Sequence, residues 1–226
     1  MWIEHIPYGV AEGRLKTLYD RVKGPDDNVD NIMLAHSLRP HSMEGHMALY
    51  KYVLHHASNT TPKWFLETIG VLVSSLNACD YCVEHHFAGL RRLLRDDDRA
   101  AAIRGALTRR TDQALAAPAD HALAVPADHT LAAPAYDQVF TPAEAAALRY
   151  AEALTLHPRE RETVKACVDA MRSAGIDDGR ILEINQVAAY FNYANRTVTG
   201  LGITTDGDIL GLSPGNSNDP NDWSHA

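Results

Sequence analysis

The 226-residue chain is 46% apolar and 22% charged and carries a formal net charge of −8. That balance fits one globular domain with enough material for a real core. An acidic chain with no Lys/Arg cluster lacks the basic face that phosphates require, so no nucleic acid and no membrane surface is expected as a partner.

No strand-like alternation of any length is found, and the chain reads as all-α. Met1-Trp2-Ile3-Glu4-His5 shows no basic stretch followed by an apolar run, and the longest apolar run, near Ile69 to Val73, is too short to span a bilayer. A cytoplasmic protein is expected. A first helix is predicted over 10–23, stopped by Gly24-Pro25, and a short one after Asn28. The next starts after Pro40. Thr61-Pro62 reads as an N-cap followed by proline at the first helical position. A break is predicted at Ser74-Ser75-Leu76-Asn77, with Asn77 as N-cap of the helix through Cys79, Cys82, His86, Leu90 and Leu94. Asp96-Asp97-Asp98 should cap a helix ending near Arg109-Arg110.

Residues 112–135 hold an eight-residue unit repeated three times, each ending Pro-Ala. A proline every eight residues forbids a continuous regular helix, and three short units cannot build a solenoid. The expectation is a low-complexity insertion in a surface loop. Helix resumes at Thr141-Pro142-Ala143-Glu144, a capping box, and runs to about His157. Another helix ends at Ala174-Gly175, and a long last one runs from Asp177-Asp178 to Gly200. Residues 1–205 read as a single helical domain and 206–226 as a polar, flexible tail.

The most informative stretch is Cys79-Asp80-Tyr81-Cys82-Val83-Glu84-His85-His86. Spacings of three and then four place Cys79, Cys82 and His86 on one helix face. A helix N-terminus and a nearby imidazole both favour a thiolate, and a second thiol one turn away can close a disulfide. The same three side chains could supply three ligands of a tetrahedral zinc site, although no second ligand pair stands out. His36, His41 and His46 recur every five residues, a spacing that makes no ligand face on a helix, and His55-His56 are adjacent and point apart. A c-type haem would need histidine where Val83 stands. Cys167, alone in the apolar-patterned Val164 to Met171 stretch, reads as core.

Glu67, then Cys79 twelve residues on, Cys82, and His86 four residues later resemble the pattern of alkylhydroperoxidase D-like proteins of the carboxymuconolactone decarboxylase superfamily. Tyr81 fits the common C-x-Y-C form. The stretch Ile184 to Arg196 is similar to the final helix of the branch called peroxidase-related enzymes. The resemblance covers most of residues 10–205. It implies a multi-helix bundle and a thiol peroxidase that needs no cofactor, metal or haem. Cys82 would attack a hydroperoxide, Cys79 would close the disulfide, and His86 and Glu67 would relay the proton. A dithiol, lipoyl-bearing or thioredoxin-like reductant and a trimeric or hexameric homo-oligomer are implied as partners. A general protein disulfide oxidoreductase of the same fold is the alternative. The lactone decarboxylases of the superfamily do not rely on a C-x-x-C pair, and a non-enzymatic binding module stays open. On one straight helix Glu67 would lie about 18 Å from Cys79. The two can meet only if the chain turns near Ser75 to Asn77.

Overall fold

The computed structural model describes residues 1–116, 134–215, 217–219 and 221–225. They form α1 (Gly13–Val22), α2 (Asn31–Ala35), α3 (Pro40–Tyr50), α4 (Lys63–Leu76), α5 (Asp80–Leu94), α6 (Asp97–Ala116), α7 (Pro134–Asp137), α8 (Pro142–Leu156), α9 (Arg161–Ser173) and α10 (Asp178–Leu201). No strand forms among the described residues, so the all-α expectation holds, and no described helix is long and apolar enough to cross a membrane.

The most apolar helix, α4, is the centre of the bundle. Its residues from Phe65 to Ser74 are all buried, among them Leu66, Ile69 and Leu72 with no exposed surface. It packs most extensively on α5 and then on α10, α8 and α6. Gly70 sets the approach of α10. A Cβ there would fall 2.3 Å from the Phe191 ring, so only glycine lets that ring lie against the α4 backbone.

Local capping follows the sequence at several ends. Thr141 and Glu144 make the reciprocal capping box of α8, Asp177 accepts from Arg180 N–H at the start of α10, and Asp96 accepts from Arg99 N–H at α6. Thr61 departs from its expectation. The residue flanking α4 is Pro62, and the Thr61 hydroxyl caps nothing. Instead the Glu183 carboxylate of α10 accepts the backbone N–H groups of Thr60 and Thr61, both at 2.8 Å. Asn77 also departs. It ends α4 rather than starting α5, because Ala78 turns left-handed (φ 52°) and makes Cys79 the residue flanking α5.

Two further boundaries differ. α6 runs on to Ala116, so residues 112–116 of the expected insertion are helical, and Pro134 already belongs to α7. The remainder of the repeat, 117–133, lies outside the described residues. Both flanks converge on one buried carboxylate: Glu152 of α8 accepts from Arg110 Nε at 2.8 Å and from the Tyr136 hydroxyl at 3.2 Å.

The described residues of 206–226, the stretch read as a flexible tail, make specific contacts with the bundle. Asp208 accepts from the Asn31 N–H (3.0 Å) and the Tyr81 hydroxyl (2.8 Å). The Arg92 guanidinium donates to the Gly211 carbonyl, and the buried Lys51 ammonium donates to the Gly215 carbonyl and the Ser217 hydroxyl. Trp223 is buried beneath the Arg21 guanidinium, 3.7 Å from its ring centre. Gly211 (φ 80°) sits so close to α5 that a Cβ would be 2.8 Å from the Ala88 backbone.

Candidate active site

The turn between α4 and α5 brings the predicted residues together. Ala78 N–H donates to Ser75 O and Cys79 N–H to Ser74 O, closing a reversal that lays α5 back along α4. A left-handed alanine costs about 1 kcal/mol. The turn is held from α10: the Asn77 amide donates to Asn192 and Asn195 at 3.1 and 3.0 Å, and Asn195 donates to Ser74 Oγ at 3.0 Å.

Cys79 and Cys82 are free, buried thiols with Sγ atoms 3.0 Å apart. The Cys79 thiol is held down to about 7, chiefly because the Cys82 S–H donates to it; burial opposes, and the Cys82 backbone N–H adds to the lowering. Cys82 is pushed up well above the usual thiol range by the same bond and by burial. The two sulfurs face different spaces. Cys82 lines a cavity of about 40 Å³ with Glu67 and His86, whereas Cys79 lines a separate, open groove with Thr199 and Ile203. The single shared face expected for Cys79, Cys82 and His86 therefore holds for the last two. Cys79 stands one residue outside the helix, where the turn aims it differently.

His86 Nδ1 lies 2.7 Å from Glu67 Oε2. Its ring meets the Phe191 ring edge-on at 4.5 Å, which fixes its plane. Glu67 is 2% exposed, carried inside by the apolar residues on all sides of it in α4. Cys167 lies in the core on α9, as expected, and burial raises its thiol to about 11.

Several site residues escaped the sequence reading. Beyond α3 a wide π-helical turn, Lys51–His55, carries His55 inward to 4.0 Å from Glu67 Oε1. Its neighbour Tyr50 is set edge-on to both His55 and His86. Only the five-residue register of that turn makes His55 a site neighbour, and no sequence signal announces it. His36 and His46, set aside on their spacing, come within 5.0 Å ring to ring because they sit on separate elements. His85 contacts the tail through Asp208, 3.1 Å away. Among the described residues, no group of three or more His, Cys, Asp or Glu side chains is arranged to hold a metal ion.

No protein-family model and no curated protein matches the sequence. Similar solved structures include the following three. An uncharacterized peroxidase-related protein from Ralstonia eutropha, with an alkylhydroperoxidase D core, is 19% identical, with a TM-score of 0.66 over 93% of this chain and 95% of that one. An uncharacterized peroxidase-related protein from Silicibacter sp. is 23% identical, with a TM-score of 0.57 over 78% and 76%. A protein of unknown function from Agrobacterium tumefaciens, with a suggested antioxidant-defence role, is 20% identical, with a TM-score of 0.53 over 75% and 93%. At these identities the likeness is one of fold. The chain has the all-helical, alkylhydroperoxidase D-like fold that Glu67, Cys79, Cys82 and His86 pointed to.

Proposed function

We propose that the chain is a thiol peroxidase in which Cys82 reduces a hydroperoxide and Cys79 resolves the product. The observation that carries this reading is the pair of free thiols 3.0 Å apart, one beside a cavity that also holds a hydrogen-bonded Glu67–His86 pair. The Cys82 proton passes to Cys79 or to the His86–Glu67 pair, leaving a thiolate. That sulfur attacks the hydroperoxide, the O–O bond breaks, and a sulfenic acid and an alcohol or water form. Cys79 then displaces hydroxide from the sulfenic sulfur, which leaves as water, and the Cys79–Cys82 disulfide forms. An external dithiol reduces it, becoming a disulfide itself; the groove beside Cys79 is the side open to such a partner.

The test is peroxide consumption by the full chain with dihydrolipoamide or reduced thioredoxin as donor, beside Cys82→Ser. Turnover in the wild type that disappears in Cys82→Ser is expected. Turnover that survives in Cys82→Ser removes the assignment. A second reading, disulfide exchange with protein substrates, is favoured by the low-pKa Cys79 at an open groove. Rapid reduction of a protein disulfide, with no peroxide consumed, would select it.

A further inference from the structure

The cavity beside Cys82 contains a carboxyl group that the Glu67–His86 relay does not use. Asp30 flanks the start of α2, where a side-chain cap would be ordinary, yet its side chain caps nothing. Its backbone carbonyl accepts the Met33 and Leu34 N–H groups, its carboxyl makes no hydrogen bond among the described residues, and Asp30 is one of the residues lining the cavity with Cys82, Tyr50, Glu67 and His86. The neighbouring Asp208 is differently placed. Its oxygens are taken by the Asn31 N–H, the Tyr81 hydroxyl and His85, so it is a structural anchor rather than an available acid.

Burial raises the Asp30 carboxyl to about 7, with His85 opposing the rise and Asp208 adding to it. Near neutrality a large share of Asp30 therefore keeps its proton. Two carboxylic groups in one cavity are thus differently equipped. Glu67 is bonded to an imidazole, whereas burial favours the protonated form of Asp30.

We propose that Asp30 is the acid that protonates the leaving oxygen as a small hydroperoxide is cleaved at Cys82. The inference rests on the peroxidase reading above. The Cys82 thiolate forms a bond to the outer oxygen of the hydroperoxide, the O–O bond breaks, and the departing alkoxide or hydroxide takes the Asp30 proton. The products are a Cys82 sulfenic acid, an alcohol or water, and an Asp30 carboxylate, which regains its proton from solvent before the next cycle. Without an acid the leaving group would depart as a strong base into a partly apolar cavity, so general-acid assistance is worth about 10²–10⁴-fold. The cavity of about 40 Å³ also restricts the substrate class. At roughly 10–15 Å³ per water-sized group, it takes hydrogen peroxide or a short alkyl hydroperoxide.

The experiment is rapid mixing of the reduced full chain and of Asp30→Asn with hydrogen peroxide and with peracetic acid, whose leaving carboxylate needs no proton. Cys82→Ser serves as control. Oxidation of Asp30→Asn by hydrogen peroxide should slow about 100-fold, and oxidation by peracetic acid less than about threefold. Equal losses with both oxidants, or no loss with either, overturn the proposal. Disulfide formation driven by diamide, which releases no oxygen leaving group, should keep its wild-type rate in Asp30→Asn. If that variant does not fold, wild type alone decides. Its oxidation rates across hydrogen peroxide, ethyl hydroperoxide and peracetic acid should depend only weakly on leaving-group basicity, and a steep dependence overturns the role. A wild type whose Cys82 is not oxidised by peroxide overturns the peroxidase reading as well. Oxidation of Cys82 with an unaltered Asp30→Asn leaves that reading standing and removes only Asp30.

Discussion

His86 Nδ1 and Glu67 Oε2, 2.7 Å apart, join α5 to α4 across a chain reversal. A carboxylate on one imidazole nitrogen fixes which nitrogen carries the proton and leaves the other for proton exchange in the cavity. Glu67→Gln keeps the shape and loses the charge. The rate of Cys82 oxidation by peroxide should fall about 100-fold, with little change in melting temperature. Stopped-flow oxidation and a thermal melt check both; a rate within twofold of wild type would remove Glu67 from the relay.

The thiols should separate by pH and by trapping. Below about pH 7 Cys79 keeps its proton and is unreactive, and above it the thiolate appears. Alkylation of Cys79 by iodoacetamide should therefore be half-maximal near pH 7, while Cys167, raised to about 11, stays unmodified. In Cys82→Ala, which has no side-chain donor, the main cause of the lowering is gone and the midpoint should move up. Cys79→Ser should accumulate a sulfenic acid at Cys82 that dimedone captures. A peptide map with Cys167 oxidised first would contradict this ordering.

Acid should weaken the fold through its buried histidines. Burial lowers His46 to about 3 and His225 to about 4, from an ordinary 6.5. Between those values and 6.5 the unfolded chain binds protons that the folded chain does not. The contribution of each histidine is therefore intact above about pH 6.5 and is lost as pH falls below it, by at most about 1.4 kcal/mol per pH unit, while Asp30, raised from its ordinary value to about 7, acts in the opposite sense. Urea unfolding at pH 7.5, 6 and 5 measures the slope, and His46→Phe should make it shallower by about one proton.

The tail encloses the cavity through Leu212, Ser213 and His225, and its removal also strands the buried Lys51 ammonium. Ending the chain after Thr205 should lower the melting temperature. It should also raise the rate with cumene hydroperoxide relative to hydrogen peroxide. An unchanged ratio would show that these residues do not limit access.

The site was legible where chemistry is local. The C-x-x-C spacing, the helix break before it, and the caps at Asp96, Thr141 and Asp177 are properties of a few adjacent residues. What escaped depends on distant partners. Thr61 is an excellent cap by composition, but α4 begins one residue later than that reading needs, with Pro62 flanking it, and Glu183 of α10 instead holds the Thr60 and Thr61 N–H groups. Asn77 resembles a cap, but the left-handed Ala78 that follows makes Cys79 the residue flanking α5, and the Asn77 amide donates to Asn192 and Asn195 on α10. The polar composition of 206–226 hides single anchors such as Asp208 and Trp223, which a compositional average cannot register. Glu67 was found by resemblance alone, although the apolar residues around it in α4 are what carry it inside.

Deleting one repeat unit, residues 120–127, should leave the melting temperature and the Cys79–Cys82 oxidation rate essentially unchanged. A wider deletion over 112–135 should be costly, because it removes the last turn of α6 and the first residues of α7. Calorimetry on the two deletions separates them; equal losses would assign the inner unit a structural role.

Because Arg110 and Tyr136 both close on Glu152, the points where the repeat leaves and rejoins the bundle are clamped to a common post. A change of length inside the tandem would meet the bundle at α6 and α7, whose Arg110 and Tyr136 share the Glu152 carboxylate of α8, and not at the α4–α5 turn that carries the thiols. The same clamp makes this junction a natural insertion point for a reporter or affinity module.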